Sequence, residues 1–396
     1  MVKLLKTDRF DELIKKLFLC TFIAYVVAIE ISESALMDFV HISVFVKIVI
    51  RFTFLSVFSI CAYNFIRGKY TYKELIVGIL IFIPVVISVY KCKNADVFMC
   101  FAYIFAAKGV NIEKLIKYAL LAMVITFAIV VLARILGITK EYIYKHIKYG
   151  RTLNRYSFGF VYTCVGTIYY LFISLLYIYV RKERFGIKDT IIIVSINAIL
   201  YLLTFTLNNF VFIILAVILV YFVKFNKLLA LDKIFAYFSI GSAALGSAII
   251  SILTAMYASG SIIAIRINSL TSGRLKLTLD AIKKYGISII GNNIKFIGGG
   301  AVGTKEYNYV DSMYMQLLIK HGVLVFVVVV VVLTFLSYKA YKNNNKWLLL
   351  CYFIINYHAT FDDRLISITL NPFLMFFLIY LTYSFDKGKL ITSDGK

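Results

Sequence analysis

Charge is scarce in this chain, and negative charge scarcer still. Charged residues make up 16% of the 396, where a soluble domain carries about 25%, and 20 Asp and Glu stand against 43 Lys and Arg. There are two prolines, Pro84 and Pro372. The six cysteines (Cys20, Cys61, Cys92, Cys100, Cys164, Cys351) are scattered, mostly within apolar blocks, with no CxxC pair and no paired histidine. That pattern excludes a disulfide framework and a zinc site. A cleavable signal peptide is not evident: the first apolar block, Leu17 to Ile29, runs into Glu30, Ser32 and Glu33 without a small-residue cleavage site. No soluble domain and no inverted repeat stands out.

What the chain has instead is apolar mass in blocks. Hydrophobic residues are 62% and mean hydropathy is +0.88. Stretches such as Leu120 to Leu132 and Val323 to Leu336 are too apolar for the surface of a soluble helix, and a membrane span needs about 20 mostly apolar residues. Breaks at charge clusters predict spans near 17–30, 42–65, 75–90, 95–107, 115–136, 157–180, 190–205, 209–224, 234–256, 315–337, 347–360 and 365–384. The expectation is an all-α, polytopic integral membrane protein of about twelve transmembrane helices, one transmembrane domain over 1–396.

The net charge of +23 would point to nucleic acid in a soluble protein. Here the cations fall mainly in short connections, where they orient a membrane chain. Lys3, Lys6, Arg9, Lys15 and Lys16 place the amino terminus inside, and every second connection is then basic, ending with Lys387 and Lys389, so both termini are expected in the cytoplasm. Two outside connections break the trend. One, 138–156, holds Lys140, Lys145, His146, Lys148, Arg151 and Arg155. The other, 259–312, holds Arg266, Arg274, Lys276, Lys283, Lys284, Lys295 and Lys305. Within the longer loop, Leu275, Leu277, Leu279 and Ile282 with Lys276, Lys283 and Lys284 predict a short amphipathic helix at the outer interface, followed by an irregular glycine-rich run from Gly291 to Gly303.

Four of the 11 arginines, Arg151, Arg155, Arg266 and Arg274, are thus external, against 32 lysines in the chain. Guanidinium groups bind phosphate through paired hydrogen bonds and keep their charge, so these residues suit a lipid-linked phosphate or pyrophosphate; pairing with lipid head groups, Asp311 or Glu306 is the structural alternative. Gly298 to Lys305 is not a nucleotide loop, because its Thr304 precedes Lys305 and the segment is expected outside. His358, Asp362, Asp363 and Arg364 cluster at the last outside turn, where a carboxylate or imidazole can take a proton from a sugar hydroxyl or simply cap helices. His321 and His146 carry the same two readings. Lys47 and Arg51, four apart in the second span, are expected to face the protein interior, or, for Lys47, to snorkel toward an interface.

The order Gly150-Arg151, Arg155-Tyr156-Ser157-Phe158-Gly159-Phe160, Thr271-Ser272-Gly273-Arg274, Tyr285-Gly286, the glycine stretch, and Val310-Asp311-Ser312-Met313-Tyr314 through Lys320-His321-Gly322 resembles the Wzy-type bacterial polysaccharide polymerases, which build O-antigen, capsular and exopolysaccharide polymers. The recognisable residues run from about 150 to 322; the layout covers most of the chain. Departures are Asn208-Asn209, where the family often has Ser-Arg, and Val161 and Tyr162, where polar residues usually follow Gly-Phe.

The resemblance implies a membrane glycosyltransferase in the bacterial cytoplasmic membrane, without cofactor or metal. It would move a growing glycan from undecaprenyl pyrophosphate onto a lipid-linked repeat unit at the outer face. It implies that Arg274 and Arg266 hold the donor pyrophosphate, with Asp311, His321 or a residue of the 358–364 cluster as candidate base. The acceptor or glycan would fall to Arg151, Arg155, Lys148, Tyr314, His358, Asp362 and Arg364. A flippase and a chain-length regulator of the same pathway are the implied protein partners, with membrane lipids around them and no nucleic acid. A flippase or transporter of lipid-linked oligosaccharide would also want a cationic cavity, but internal symmetry and prolines in the spans are sparse here. A polysaccharide ligase would use the arginines in the same way.

Overall fold

The computed structural model describes residues 2–148, 151–225, 229–298, 307–382, 385–386 and 389–390. Helix dominates. In chain order the helices are α1 (Val2–Ser32), α2 (Val40–Ile66), α3 (Tyr72–Cys92), α4 (Asp96–Ala106), α5 (Ile112–Ile135), α6 (Val165–Arg181), α7 (Ile187–Thr204), α8 (Leu207–Phe225), α9 (Leu229–Ile240), α10 (Ser242–Ala258), α11 (Ile262–Leu270), α12 (Arg274–Tyr285), α13 (Met313–Gln316), α14 (Val323–Lys342), α15 (Lys346–His358) and α16 (Phe376–Thr382). Strands β1 (Ile143–Lys148) and β2 (Arg151–Tyr156) pair antiparallel, as do the two-residue strands β3 (Phe385–Asp386) and β4 (Lys389–Leu390).

Six helices, α2, α3, α5, α7, α8 and α14, are long and apolar enough to cross a membrane. A seventh crossing results if Lys233–Ile240 and Ser242–Ala258, bent by 64° at Gly241, count as one. The chain is therefore a mostly helical membrane protein. Of the other predicted spans, 17–30 lies within the continuous 31-residue α1, and the rest are shorter or broken, for local reasons. The segment predicted at 365–384 stays irregular to Asn371, then forms a 3-10 turn, Pro372–Met375, and the short α16. Pro372 lacks an N–H to donate and presets φ, so a helix starts at it rather than running through it. The segment predicted at 315–337 is divided by a π-helical turn, Leu317–His321, and by Gly322 at φ +90°. Residues 138–156, expected as a loop, contain the β1–β2 hairpin, whose register pairs Tyr144 with Arg155 and Lys148 with Arg151.

Helix starts follow side-chain chemistry. Asn111 accepts the amide of Lys114 at 2.9 Å to open α5, and Asn345 accepts that of Leu348 at 3.2 Å to open α15. Asp189 reaches back to the amide of Gly186 at 2.8 Å ahead of α7.

The chain falls into two compact units, one of residues 1–71, 102–217 and 368–378, the other of residues 72–101, 218–367 and 379–396. In the first, α1 packs on α2 and α5, α5 on α6, α6 on α7, and α7 touches β2. Phe18 and Phe22 of α1 meet the buried ring of Tyr103 edge-on, while Tyr25 stacks on it at 4.8 Å between centroids. In the second, α10 is the hub, contacting α9, α11, α12, α13, α14 and α15. The helix expected in the long loop is α12, and its buried stripe of Leu275, Thr278 and Ala281 packs on α10.

Candidate functional site

The second unit draws three stretches of sequence together around Arg274. Gly273, at φ +87°, turns the chain so that Arg274 becomes the first residue of α12. Its Nε stands 3.6 Å from the Asp311 carboxylate, and its Nη1 donates to the carbonyl of Phe361. Both partners of the ion pair keep about a quarter of their side chains accessible, 22% for Arg274 and 24% for Asp311. A guanidinium carries five N–H donors in a planar fork, so two contacts leave donors for an anion.

Behind Arg274 the segments 309–316 and 358–364 brace each other. The amide of Met313 donates to the carbonyls of Ala359 (3.2 Å) and Asp362 (2.9 Å). Ser312 caps α13 by accepting from the amide of Met315. Tyr309 donates its hydroxyl to Asp363, and Gln316 donates to the carbonyl of Val310 at 2.6 Å and to Asp363 at 3.4 Å. Arg364 stands 3.5 Å from Asp363 through Nε, and its amide donates to Asp362 at 3.0 Å. His358 Nδ1 lies 3.9 Å from Asp362.

This crowding sets the protonation states. Burial raises the Asp362 carboxyl well above the usual carboxylate range; the neighbouring Asp363 charge adds to the rise, and Arg364 and Arg274 oppose it. Asp311 is also raised, by burial first, with Arg274 pulling the other way. Burial, then the charge of Asp363, pushes the Tyr309 phenol up as well. The site thus couples a fixed, partly exposed cation to a buried carboxyl, Asp362, able to hold a proton near neutrality.

The other predicted residues are placed elsewhere. Arg266 is exposed on α11 and has no ion pair or hydrogen bond among the described residues. His321 is buried against α3: its Nδ1 lies 3.4 Å from Ser88 Oγ and 3.6 Å from Cys92 Sγ, and Ser88 donates to its carbonyl at 2.9 Å. That setting is a packed helix contact without Arg274. Tyr314 is completely buried and donates to the carbonyl of Asn356 at 2.7 Å, so it fills the core between α13 and α15 and offers no face to a sugar. In the first unit Arg155 Nε donates to the carbonyl of Thr204 at 2.7 Å, tying the hairpin to the end of α7. The side chains of Lys148, Arg151 and His146 lie outside the described residues. Lys47 and Arg51, expected to face inward or, for Lys47, to snorkel toward an interface, are exposed on α2.

Sequence reasoning missed Tyr309 and Gln316, whose polar ends fix Asp363; a Tyr two residues before Asp311 and a Gln five after it carry no local pattern. It also missed Glu141, which accepts from the amides of Ser157 and Phe158 and from Arg134 Nε and so clamps the base of the hairpin. A cleft of about 330 Å³ in the first unit is lined by Glu113, Lys117, Tyr179, Lys182 and Arg184, none of them a predicted site residue. Among the described residues no group of three or more His, Cys, Asp and Glu is arranged to hold a metal ion. No protein-family model, curated protein or solved structure matches the chain.

Proposed function

We propose that this chain polymerises lipid-linked oligosaccharide repeat units at the outer face of a bacterial cytoplasmic membrane. The observation that carries the reading is Arg274, held between Asp311 and the Phe361 carbonyl with its fork still partly accessible. In this reading the chain crosses the membrane about twelve times, counting the shorter helices. Both termini are cytoplasmic, and 138–156 and 259–312 are external.

The chemistry follows from charge. The bond between the anomeric carbon of the growing glycan and its undecaprenyl pyrophosphate breaks, a new glycosidic bond forms to a hydroxyl of the acceptor repeat unit, and the hydroxyl proton passes to a carboxylate. Negative charge concentrates on the departing pyrophosphate, and a preplaced guanidinium stabilises that state more than the ground state. Arg274 takes this role and Asp311 accepts the proton. Arg155, with Lys148 and Arg151 of the same hairpin, is assigned to the acceptor.

The test is to delete the gene in its host and size the glycans on the lipid carrier and cell surface. Single repeat units left on the outer face, with long polymer gone, support polymerisation. Units trapped on the inner face identify a flippase, and finished polymer retained on the carrier identifies a ligase.

A further inference from the structure

The function proposed above uses neither Lys47 nor Arg51. Both are exposed on α2, four residues apart and so on one side of the helix. The surface around them is apolar and open: Phe45 is 66% accessible, Phe52 62% and Leu55 67%. On a helix apolar enough to cross a membrane, that is the surface lipid meets. No ion pair or hydrogen bond joins either cation to another described residue.

Two like charges one turn apart repel each other, and each is costly in hydrocarbon. One anion between them relieves both penalties. This chain does not supply it from its other long apolar helices: Glu74 of α3 is fully buried and bonded to Thr382, Glu113 of α5 is paired with Lys182, and Asp189 of α7 is buried and paired with Arg181. A second copy therefore brings no spare carboxylate on those helices.

Direction selects the anion. The 27 residues of α2 span about 40 Å at about 1.5 Å per residue, close to the thickness of a bilayer with its head groups. Lys47 begins about 10 Å and Arg51 about 16 Å from the Val40 end. Side chains on a helix lean toward its amino terminus, so both cations reach toward the nearer head groups, their stems lying along the apolar surface. Near the same end, Tyr142 at the base of the hairpin donates to Asp38 just ahead of α2 at 2.9 Å, and Lys140 and Lys145 are exposed.

We propose that Lys47 and Arg51 seat the phosphate of an anionic membrane lipid against the exposed face of α2, independently of the glycan reaction. The acyl chains would lie on Phe45, Phe52 and Leu55.

The test places a reporter beside the seat. The full chain carrying Phe45→Trp and Trp347→Phe is reconstituted in phosphatidylcholine vesicles holding a fixed fraction of brominated phosphatidylglycerol or, in parallel, brominated phosphatidylcholine. Quenching should show the anionic lipid enriched around the introduced indole by about fivefold for each cation. Adding Lys47→Gln and Arg51→Gln should reduce the ratio to one. A second reporter, Ile125→Trp on the exposed side of α5, should show no preference and should not change in the double variant, which separates loss of the seat from loss of the fold. Equal quenching by both lipids in the unsubstituted seat overturns the proposal, as does a preference that survives neutralisation. Absence of quenching by either lipid also overturns it, because a protein then covers this face.

Discussion

Arg274 stands 3.6 Å from Asp311, although a glycine-rich stretch separates them in sequence. The pair is partly open to solvent, so its removal acts on function more than on stability. A buried pair broken on one side costs about 3–5 kcal/mol; with a quarter of each side chain accessible, about 1–2 kcal/mol is the reasonable scale after screening. Arg274→Ala should abolish long polymer while the protein still accumulates in the membrane. Arg274→Lys keeps a charge but loses the fork that serves Asp311 and the Phe361 carbonyl together, and should give short chains. Lys283→Ala, exposed on α12, should leave the polymer ladder unchanged. A normal ladder from Arg274→Ala would remove this residue from the reaction.

Asp362 gives the site a pH signature. Its carboxyl keeps its proton to higher pH in the folded chain than in the unfolded one. The resulting stability is fully present below the ordinary carboxylate value of 3.8 and is lost as pH rises through the folded value, about 8. Thermal unfolding of the detergent-solubilised protein should therefore show a midpoint that falls with pH across that window. Asp362→Asn, which cannot ionise, should flatten the slope. An unchanged slope in that variant would assign the pH dependence to another group.

The long helices were legible because apolar blocks bounded by charge are a local signal: α2, α3 and α5 lie where composition puts them. Local signals end where the chain bends on single residues. The bend at Gly241, the π-helical turn before Gly322 and the late helix start at Pro372 depend on backbone geometry that hydropathy does not carry. Arg274 and Asp311 stood out as residue types, since charge is rare here. Their pairing, and the roles of Tyr309 and Gln316, arise only when α12, the loop before α13 and the turn after α15 meet. Tyr314 entered through the resemblance and His321 as a rare histidine, and the fold spends both on packing.

The hairpin hangs on one carboxylate. Glu141 accepts three bonds from Ser157 and Phe158 through one oxygen and pairs with Arg134 through the other. Bonds to a charged group contribute about 1.5–3 kcal/mol each when considered alone, and they share one acceptor, so Glu141→Ala should cost about 3 kcal/mol of local stability. Amide hydrogen exchange should speed up across 143–156 and not in α5. Uniform exchange across both would mean that Glu141 supports the whole unit.

Gly291 and Gly322 meet backbone to backbone. The amide of Asn292 donates to the Lys320 carbonyl at 2.8 Å, and the amide of Val323 to the Ser288 carbonyl at 3.0 Å, so the stretch 288–292 lies flat on the π-helical turn. Both glycines have positive φ, +99° and +90°. A Cβ on Gly291 would meet the Lys320 carbonyl oxygen at 2.5 Å, and one on Gly322 would meet the Ile289 carbonyl oxygen at 2.6 Å. Gly260 has a similar φ, +80°, but open space around it, which separates the two costs. Gly260→Ala should cost only the conformational share, about 1–2 kcal/mol. Gly291→Ala and Gly322→Ala must in addition push the facing backbone segments apart, and should exceed about 3 kcal/mol. Thermal unfolding of the three purified variants decides it: if all three shift alike, φ alone sets the cost and the close approach contributes nothing.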